Sequence, residues 1–116
     1  MLPDHEAAAA GFRLVFGGVD RDVKSVAGFR ITENLDNGRF MYVDDLVTNS
    51  NERSEGYGQR LFDWLQEYAT REGCIALTLD SGVQRFDVHR FYLRNGMRIS
   101  SHHFWTQVSG HKLARR

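Results

Sequence analysis

Two glycines in the middle of the chain could bring a phosphate group close to the start of a helix. Residues 53–58 read R-S-E-G-Y-G, and an amphipathic segment follows them directly. The first N–H groups of a helix have no partner within the helix, and the helix dipole favours negative charge there. Glycine has no Cβ, so a phosphate can approach its backbone closely. The spacing therefore predicts that a phosphate-bearing ligand binds where this helix begins.

The glycine pattern excludes two familiar nucleotide-binding motifs. No Gly-Lys-Ser/Thr follows, so the segment is not a Walker loop, and it lacks the third glycine of the dinucleotide fingerprint. A two-glycine turn is also typical of a simple helix cap or of close packing. The neighbouring elements must therefore distinguish a ligand site from a structural turn.

A strand, a polar loop and a helix surround the glycines. The pattern predicts a strand over Arg39–Thr48, a loop over Asn49–Glu55 and a helix that begins at Tyr57 and ends before Gly73. Cys74–Leu79 is nearly all apolar, as in a strand buried on both faces. Such a strand–helix–strand unit is right-handed and places its two strands parallel. The predicted apolar face of the helix comprises Tyr57, Leu61, Trp64, Leu65 and Tyr68.

Further elements are predicted on both sides of this unit. Phe12–Phe16 and Lys24–Thr32 read as strands that form an antiparallel meander with Arg39–Thr48, and Gly28 indicates a bulge or a close approach. Asn37-Gly38 is a strong turn signal. A second helix over 83–95 and a last strand over 97–106 follow. Residues 1–10 could form a short helix or a frayed end, and we expect 1–11 and 109–116 to be loose termini.

Composition bounds the function classes. The 116 residues fit one domain, and the 15 basic and 15 acidic residues cancel, which argues against a nucleic-acid partner. The single cysteine, Cys74, excludes an internal disulfide and suits a reducing compartment. No apolar run is long enough to span a bilayer, and Ala7–Ala10 lacks the basic region of a signal peptide. We therefore expect a cytoplasmic protein without a membrane partner.

Three segments together resemble one family. They are D-D-L-V-T at 44–48, R-x-x-G-x-G at 53–58 and F-Y-L-R-N-G-M at 91–97. They resemble the GNAT superfamily of acyl-CoA-dependent N-acyltransferases, over roughly Gly11 to Phe104. The resemblance implies an α/β (α+β) fold with a mixed sheet, in which an antiparallel meander leads into a β-α-β crossover, a second helix and a final strand. It also implies acetyl transfer from acetyl-CoA to a primary amine of a small molecule or a protein, by direct attack.

The resemblance implies how acetyl-CoA would be held. The backbone of Leu46, Val47 and Thr48 would pair with the pantetheine arm, in a splay between this strand and the next. Arg85 stands where the family often has an asparagine, so a contact from it to CoA is an expectation only. The residues expected around the pyrophosphate are Arg53, Ser54, Glu55, Gly56, Tyr57, Gly58 and Gln59.

The resemblance also implies catalytic roles. Tyr92 would lie beside the CoA sulfur and protonate the departing thiolate. Asp44 and Asp45 are adjacent on a strand and should face opposite sides, and either could attract or deprotonate a cationic amine. His89 is a weaker candidate on the second helix. No metal site is expected, since His102 and His103 would point apart on a strand and Cys74 would lie in the core.

The chain departs from the family pattern at its start. The family begins with a strand and two helices where this sequence has about a dozen residues, so the resemblance implies an N-terminally truncated domain. Those helices form one wall of the acceptor pocket. An alternative function follows: an acyl-CoA-binding module or structural partner that has lost the acceptor site.

The apolar strands predict an assembly. Phe12, Leu14, Phe16, Phe29, Ile31, Phe40 and Tyr42 would leave one sheet face too apolar for water. The edge of the first strand would also be open to pairing. We therefore expect a homodimer that buries this face, with a partner that completes part of the acceptor pocket.

Overall fold

The computed structural model describes residues 3–9, 11–19, 22–48 and 56–110. The chain divides into two compact units, Met1–Asp80 and Ser81–Arg116. The first contains a sheet and a helix, and the second contains a helix. Three residues expected in the phosphate loop, Arg53, Ser54 and Glu55, lie outside the described residues, as does the tail beyond Gly110.

The first unit is built on a five-stranded sheet whose strands follow chain order. The first four strands are antiparallel neighbours, and the fifth pairs parallel to the fourth. The predicted meander and the parallel crossover are therefore both confirmed. The strands are β1 Pro3–Ala9, β2 Phe12–Val19, β3 Asp22–Asn34, β4 Gly38–Thr48 and β5 Ala76–Leu79, with the helix α1 Tyr57–Arg71 between β4 and β5.

The core lies between α1 and one face of the sheet. Leu61 and Leu65 of α1 are 1% and 0% exposed, so the amphipathic face predicted for this helix is buried. The ring of Phe29 meets those of Trp64 and Tyr68 edge-on, with centroids 6.3 and 5.6 Å apart. The other buried members of this core are Val15, Ala27, Met41, Val43 and Ala69.

The apolar strand residues divide between the two faces of the sheet. Phe29 pairs with Val43 and Ile31 with Met41, which places both on the face that packs against α1. The prediction that these two share a face with Phe12 and Phe40 is therefore wrong. Directly paired residues share a face, so the opposite face carries Phe12, Leu14, Phe16, Phe40 and Tyr42.

The predictions for the two segments nearest the chain ends, residues 1–10 and 97–106, are also wrong. Pro3–Ala9 forms a strand rather than a helix or a frayed end, because its backbone pairs with the edge of β2 and outweighs the helix propensity of alanine. No strand forms over 97–106 among the described residues, and Ile99, Phe104 and Trp105 are exposed. The β propensity of this segment is therefore not realised, as is common for a propensity that depends strongly on context.

The helix α2, Phe86–Arg94, is shorter than predicted and starts three residues later. Asn95-Gly96 closes it as expected, with Gly96 at φ 85°. The sequence places Phe86, His89 and Leu93 on one face of this helix, and this face is not buried, since Phe86 and Leu93 are 68% and 52% exposed. His89 lies on the same face, and its ring Nε2 is hydrogen-bonded to the carbonyl oxygen of Gly82 at 2.8 Å. This contact gives the histidine a local structural role.

Both ends of α1 depend on glycine. At the start, Gly56 adopts the left-handed conformation with φ 82°, and the N–H of Arg60 donates to its carbonyl. At the end, Gly73 has φ 77°, and the N–H of Cys74 donates to the carbonyl of Ala69 at 2.9 Å, a Schellman motif. Gly56 thus has a structural role at the start of the helix, in addition to any role in binding a ligand.

Gly58 has a different role from Gly56. A Cβ on Gly58 would lie 2.8 Å from Oγ1 of Thr48, closer than real Cβ contacts allow. The absence of a side chain lets the first turn of α1 touch the last residue of β4. The second glycine therefore fixes how closely the helix start approaches the strand end.

Replacing Gly58 by Ala should reveal this contact through a double-mutant cycle with Thr48→Ala. Alone, Gly58→Ala gains helix propensity but forces Thr48 out of place, at a cost of roughly 1–3 kcal/mol. In the Thr48→Ala background the clash is gone, and the same substitution should stabilise the protein. Urea unfolding of the four proteins gives the coupling, expected at about 1 kcal/mol or more. An identical effect of Gly58→Ala in both backgrounds would disprove the close contact.

Candidate functional site

An extra residue interrupts β4 at its centre. Gly28 of β3 pairs with Asp45, while the next residue, Phe29, pairs with Val43, so Asp44 is inserted between two ladder positions as a β-bulge. The prediction of a bulge or a close approach at Gly28 is confirmed in both senses. The register shifts between Gly28 and Phe29, and a Cβ on Gly28 would lie 2.6 Å from the ring of Phe12. The bulge changes which side chains of β4 face α1.

The bulge brings the two aspartates of β4 to the same face. Before it, Val43 faces the core, and after it Leu46 packs against the same core, so two residues rather than one lie between them on the other face. Asp45 pairs with Gly28 on that face, and Asp44 reaches Arg30 there. The prediction that Asp44 and Asp45 face opposite sides is therefore wrong, because alternation fails at a bulge.

The second half of β4 extends beyond its parallel neighbour. Leu79, the last residue of β5, pairs with Val43, whereas β4 continues to Thr48. Beyond this level β4 has no β5 partner in the described part of the chain, and we call this open edge of β4 the fork. The main chain of Leu46, Val47 and Thr48 lies along it. Amide groups of an extended ligand could pair with such an edge as another strand would.

The first turn of α1 lies next to the end of β4. Gly58 contacts Thr48 there, as described above, and Gly56 precedes the helix. The guanidinium of Arg60 stacks on the ring of Tyr57 at 4.9 Å, and its Nη2 would lie 3.7 Å from a Cβ on Gly56. A cation therefore stands beside the first N–H groups of the helix. Gln59, also expected in this region, donates from Nε2 to Asp63 at 2.9 Å.

Arg30 fixes Asp44 on the face opposite α1. Its Nε and Nη2 donate to the two carboxylate oxygens of Asp44 at 3.1 and 2.8 Å, a bidentate pair. The same guanidinium lies 5.3 Å from the ring centroid of Tyr42. The charge of Asp44 is thus compensated, whereas Asp45 is exposed.

Tyr42 links β4 to the residue that follows β5. Its hydroxyl donates to Oδ2 of Asp80 at 2.6 Å. Burial, the hydrogen bond to Asp80 and the negative charges of Asp80 and Asp44 raise the pKa of Tyr42 to about 12. The phenol therefore remains protonated, and remains a donor, at every ordinary pH.

In the second unit, Tyr92 lies on α2 and is half-buried. Burial raises the pKa of Tyr92, and the positive charge of Arg85 opposes this rise. A protonated phenol is what the expected proton donor requires. Arg85 itself is exposed immediately before the first turn of α2.

Sequence reasoning missed four residues of these sites: Arg30, Tyr42 as a polar group, Arg60 and Asp80. Arg60 was detectable, since it follows the glycine pair by one half-turn of helix. The pairs Arg30–Asp44 and Tyr42–Asp80 depend on strand register and on the bulge, which a sequence pattern does not give.

Three other observations bear on the class of site. Among residues 3–9, 11–19, 22–48 and 56–110, no three His, Cys, Asp or Glu side chains cluster as metal ligands would. Burial raises the pKa of the Cys74 thiol, which packs against the core, so it is a poor nucleophile. Neither helix in the described part of the chain has the length and apolar character needed to cross a membrane.

The Tyr42–Asp80 bond can be tested through stability at high pH. An unfolded tyrosine loses its proton near pH 10, whereas folded Tyr42 keeps it to about pH 12. The folded state therefore binds more protons in this window, and the free energy of unfolding should fall as pH rises through it. Urea unfolding from about pH 9 to 12 should show a shallower fall in Tyr42→Phe than in the wild type. Equal slopes would contradict the raised pKa.

Comparison with known proteins identifies the family. The sequence model of the acetyltransferase (GNAT) family matches residues 2–97. The uncharacterized N-acetyltransferase YhdJ of Bacillus subtilis (strain 168) is 35% identical over 83 residues, 71% of this chain and 58% of that protein. Aminoalkylphosphonate N-acetyltransferase of Salmonella typhimurium is 34% identical over 62 residues, 53% of this chain and 40% of that protein. The chain thus spans only about half the length of these relatives.

The fold agrees with this match. The solved structure of aminoglycoside N-acetyltransferase AAC(6')-Iy in complex with CoA superposes with a TM-score of 0.78, over 88% of this chain and 79% of that one. At 13% identity this likeness concerns the fold alone. Because the family match covers most of the sequence and the fold agrees, the chain belongs to the acetyltransferase (GNAT) family.

Proposed function

We propose that this protein transfers an acetyl group from acetyl-CoA to a primary amine of a small molecule or a protein. The observation that carries the proposal is the fork, the open edge of β4 beyond the end of β5. This edge ends at Thr48, in contact with Gly58 at the start of α1. The two relatives are named as N-acetyltransferases, and AAC(6')-Iy was solved with CoA. These names support the reaction class.

The phosphates of acetyl-CoA would bind at the start of α1. The N–H groups of Gly56, Tyr57, Gly58 and Gln59 are at the positive end of the helix dipole. Arg60 adds a positive charge beside them, and Arg53 to Glu55 complete the expected loop. Both the helix dipole and the positive charge of Arg60 would attract the negative charges of the pyrophosphate to this end of the helix.

The pantetheine arm would run along β4 from Thr48 towards the bulge. Its two amides would pair with the main chain of Leu46, Val47 and Thr48, as a short added strand. Four residues of strand, at about 3.3 Å each, carry the arm roughly 13 Å from Thr48 to Asp44. The thioester would therefore arrive where β4 and β5 part.

The chemistry requires a neutral amine, a polarised thioester and a proton for the thiolate. The exposed carboxylate of Asp45 would attract a cationic amine to this face, whereas Asp44 is held by Arg30. Tyr92 would donate a proton to the departing thiolate, and its protonated phenol suits this role. Arg85 would assist only as a contact to CoA.

Assembly and location remain predictions. The face expected to form a dimer is less open than the sequence indicated, since Phe40 is 8% exposed and Phe12, Leu14 and Phe16 are half-buried within the single chain. The edge of β2 is also occupied by β1. Light scattering at micromolar concentration distinguishes a homodimer from a monomer of 13.4 kDa.

Release of CoA tests the activity. Purified protein is incubated with acetyl-CoA and a panel of primary amines, including an aminoalkylphosphonate, an aminoglycoside, a polyamine and a lysine peptide, and free thiol is measured. We expect release above the hydrolysis rate with at least one amine. Calorimetric binding of acetyl-CoA without any such release would instead establish the non-catalytic binding module.

Gly56→Asn should weaken acetyl-CoA binding while its matched control, Gly73→Asn, does not. Both glycines have positive φ, 82° and 77°, at opposite ends of α1, so asparagine costs a similar backbone strain at each. Only the side chain at 56 would obstruct the phosphates. We expect calorimetry to show a loss of about tenfold or more in affinity for Gly56→Asn, worth roughly 1.4 kcal/mol. Equal affinities in the two folded variants would remove the phosphate site from this turn.

A further inference from the structure

The two units of the chain carry opposite net charges. By sequence, Met1–Asp80 has eight Lys or Arg and 14 Asp or Glu, whereas Ser81–Arg116 has seven Lys or Arg and one acidic residue, Asp87. The neutral total is therefore the sum of a side-chain charge of −6 in the first unit and +6 in the second. A charge of this size on so short a stretch favours a polyanionic partner.

The arginines of the second unit are accessible to such a partner. Arg90 and Arg94 are exposed on α2, one helical turn apart, and Arg98 is exposed just beyond the end of the helix. Arg85 is exposed immediately before the first turn. Four cations thus follow one another along this helix and its two ends.

The side of α2 that carries these cations also exposes apolar side chains. Phe86 and Leu93 are both exposed, and they lie two helical turns apart. With 3.6 residues per turn, these two side chains fall within roughly 100° of arc together with Arg90 and Arg94. The opposite side of the helix carries three half-buried residues, Val88, Phe91 and Tyr92. One side of α2 therefore presents arginine and large apolar residues together.

The segment that follows α2 exposes further apolar side chains. Phe104 and Trp105 are 92% and 63% exposed. The aliphatic side chains of Ile99 and Val108 are exposed as well. Exposed apolar residues in such number are typical of a surface that contacts another molecule or a membrane.

The mixture of side chains distinguishes one polyanion from another. A nucleic acid would use the arginines and the aromatic rings, because bases stack on rings. It would gain little from the aliphatic side chains of Leu93, Ile99 and Val108. An anionic lipid surface uses all three kinds: its headgroups attract cations, and Phe, Trp and Leu enter the boundary between headgroups and acyl chains.

We propose that the second unit attaches the protein to an anionic lipid surface. Phe86 and Leu93 enter the headgroup boundary, while Arg90, Arg94 and Arg98 contact the negatively charged headgroups. Attachment of this kind requires no helix that crosses the bilayer. It goes beyond the acetyl transfer proposed above and does not depend on it. It also replaces the expectation of no membrane partner, which took account only of segments long enough to span.

Co-sedimentation with vesicles tests the attachment. The full chain is mixed with vesicles of phosphatidylcholine alone, or with vesicles that contain about 30% phosphatidylserine, an anionic lipid. We expect sedimentation with the anionic vesicles only, and its loss at roughly 0.5 M NaCl, because salt screens the charges. Arg94→Gln should lower the partition coefficient about fivefold, the effect of one cation near an anionic surface. Phe86→Ser should lower it roughly tenfold through lost apolar burial.

Two substitutions in the first unit are matched controls. Arg71→Gln removes the basic residue of the last turn of α1, as Arg94→Gln does in α2. Leu35→Ser removes an exposed apolar side chain from the turn between β3 and β4. Both control proteins should bind anionic vesicles as the wild type does. Losses as large as those of Arg94→Gln and Phe86→Ser would overturn the assignment to the second unit.

Fluorescence of Trp105 reports whether apolar side chains enter the lipid. The chain has two tryptophans, so Trp64→Phe leaves Trp105 as the single emitter. Its emission should shift to shorter wavelength on anionic vesicles, and unchanged emission of bound protein would overturn the insertion. No sedimentation with either vesicle overturns the whole proposal, whether the protein then binds a single-stranded oligonucleotide by anisotropy or a second copy of itself by light scattering. Release of CoA is measured without vesicles, so the acetyltransferase proposal stands or fails separately.

Discussion

The single extra residue in β4 determines which side chains of this strand face α1 and which face away from it. Without the bulge at Asp44, a strand that buries Met41 and Val43 against α1 would turn Leu46 and Thr48 away from it. With the bulge, both halves of β4 present apolar or small side chains to the helix. One inserted residue therefore keeps the core continuous along the whole of β4, including the half that continues beyond the end of β5.

The bulge also has an electrostatic consequence. It puts two consecutive carboxylates on one face, where like charges would repel each other. The bidentate pair between Arg30 and Asp44 compensates one of them, and this pair in turn holds the ring of Tyr42. The hydrogen bond from Tyr42 to Asp80 thus depends on the bulge through two intermediate contacts.

The sequence predicts the elements better than their relative placement. The helix from Tyr57, its glycine ends and the parallel crossover follow from local patterns, because periodicity and left-handed glycines are properties of short segments. The faces of Asp44, Asp45 and Phe29 do not, because a bulge shifts alternation and leaves no clear mark in composition. Strand β1 is the opposite case: an alanine-rich segment becomes a strand because a neighbouring edge satisfies its backbone.

Residues of the candidate site divide in the same way. Spacing alone predicts the glycine turn as a phosphate site, and the resemblance to the family predicts that Leu46, Val47 and Thr48 pair with the pantetheine arm; both stay predictions. The strand pattern marks Tyr42 only as a large apolar residue, although its hydroxyl makes the hydrogen bond that joins β4 to Asp80. A tyrosine on a strand gives no sign of which partner its oxygen reaches, since that partner is nearly forty positions away in the chain and is brought near by the crossover.

The distribution of charge in the fold is more informative than its total. The 15 basic and 15 acidic residues cancel, and at the level of composition this indicates no preference for any charged ligand. In the first unit, however, Arg60 stands at the start of α1 beside the first N–H groups of the helix, whereas Asp45 and Asp80 are exposed on the face of the sheet away from α1. Of the two proposed substrates, acetyl-CoA is a polyanion and an alkylamine is a cation, so the proposal draws them to different ends of one strand. A neutral protein can therefore attract two oppositely charged substrates, provided that its own charges are separated along the path on which they meet.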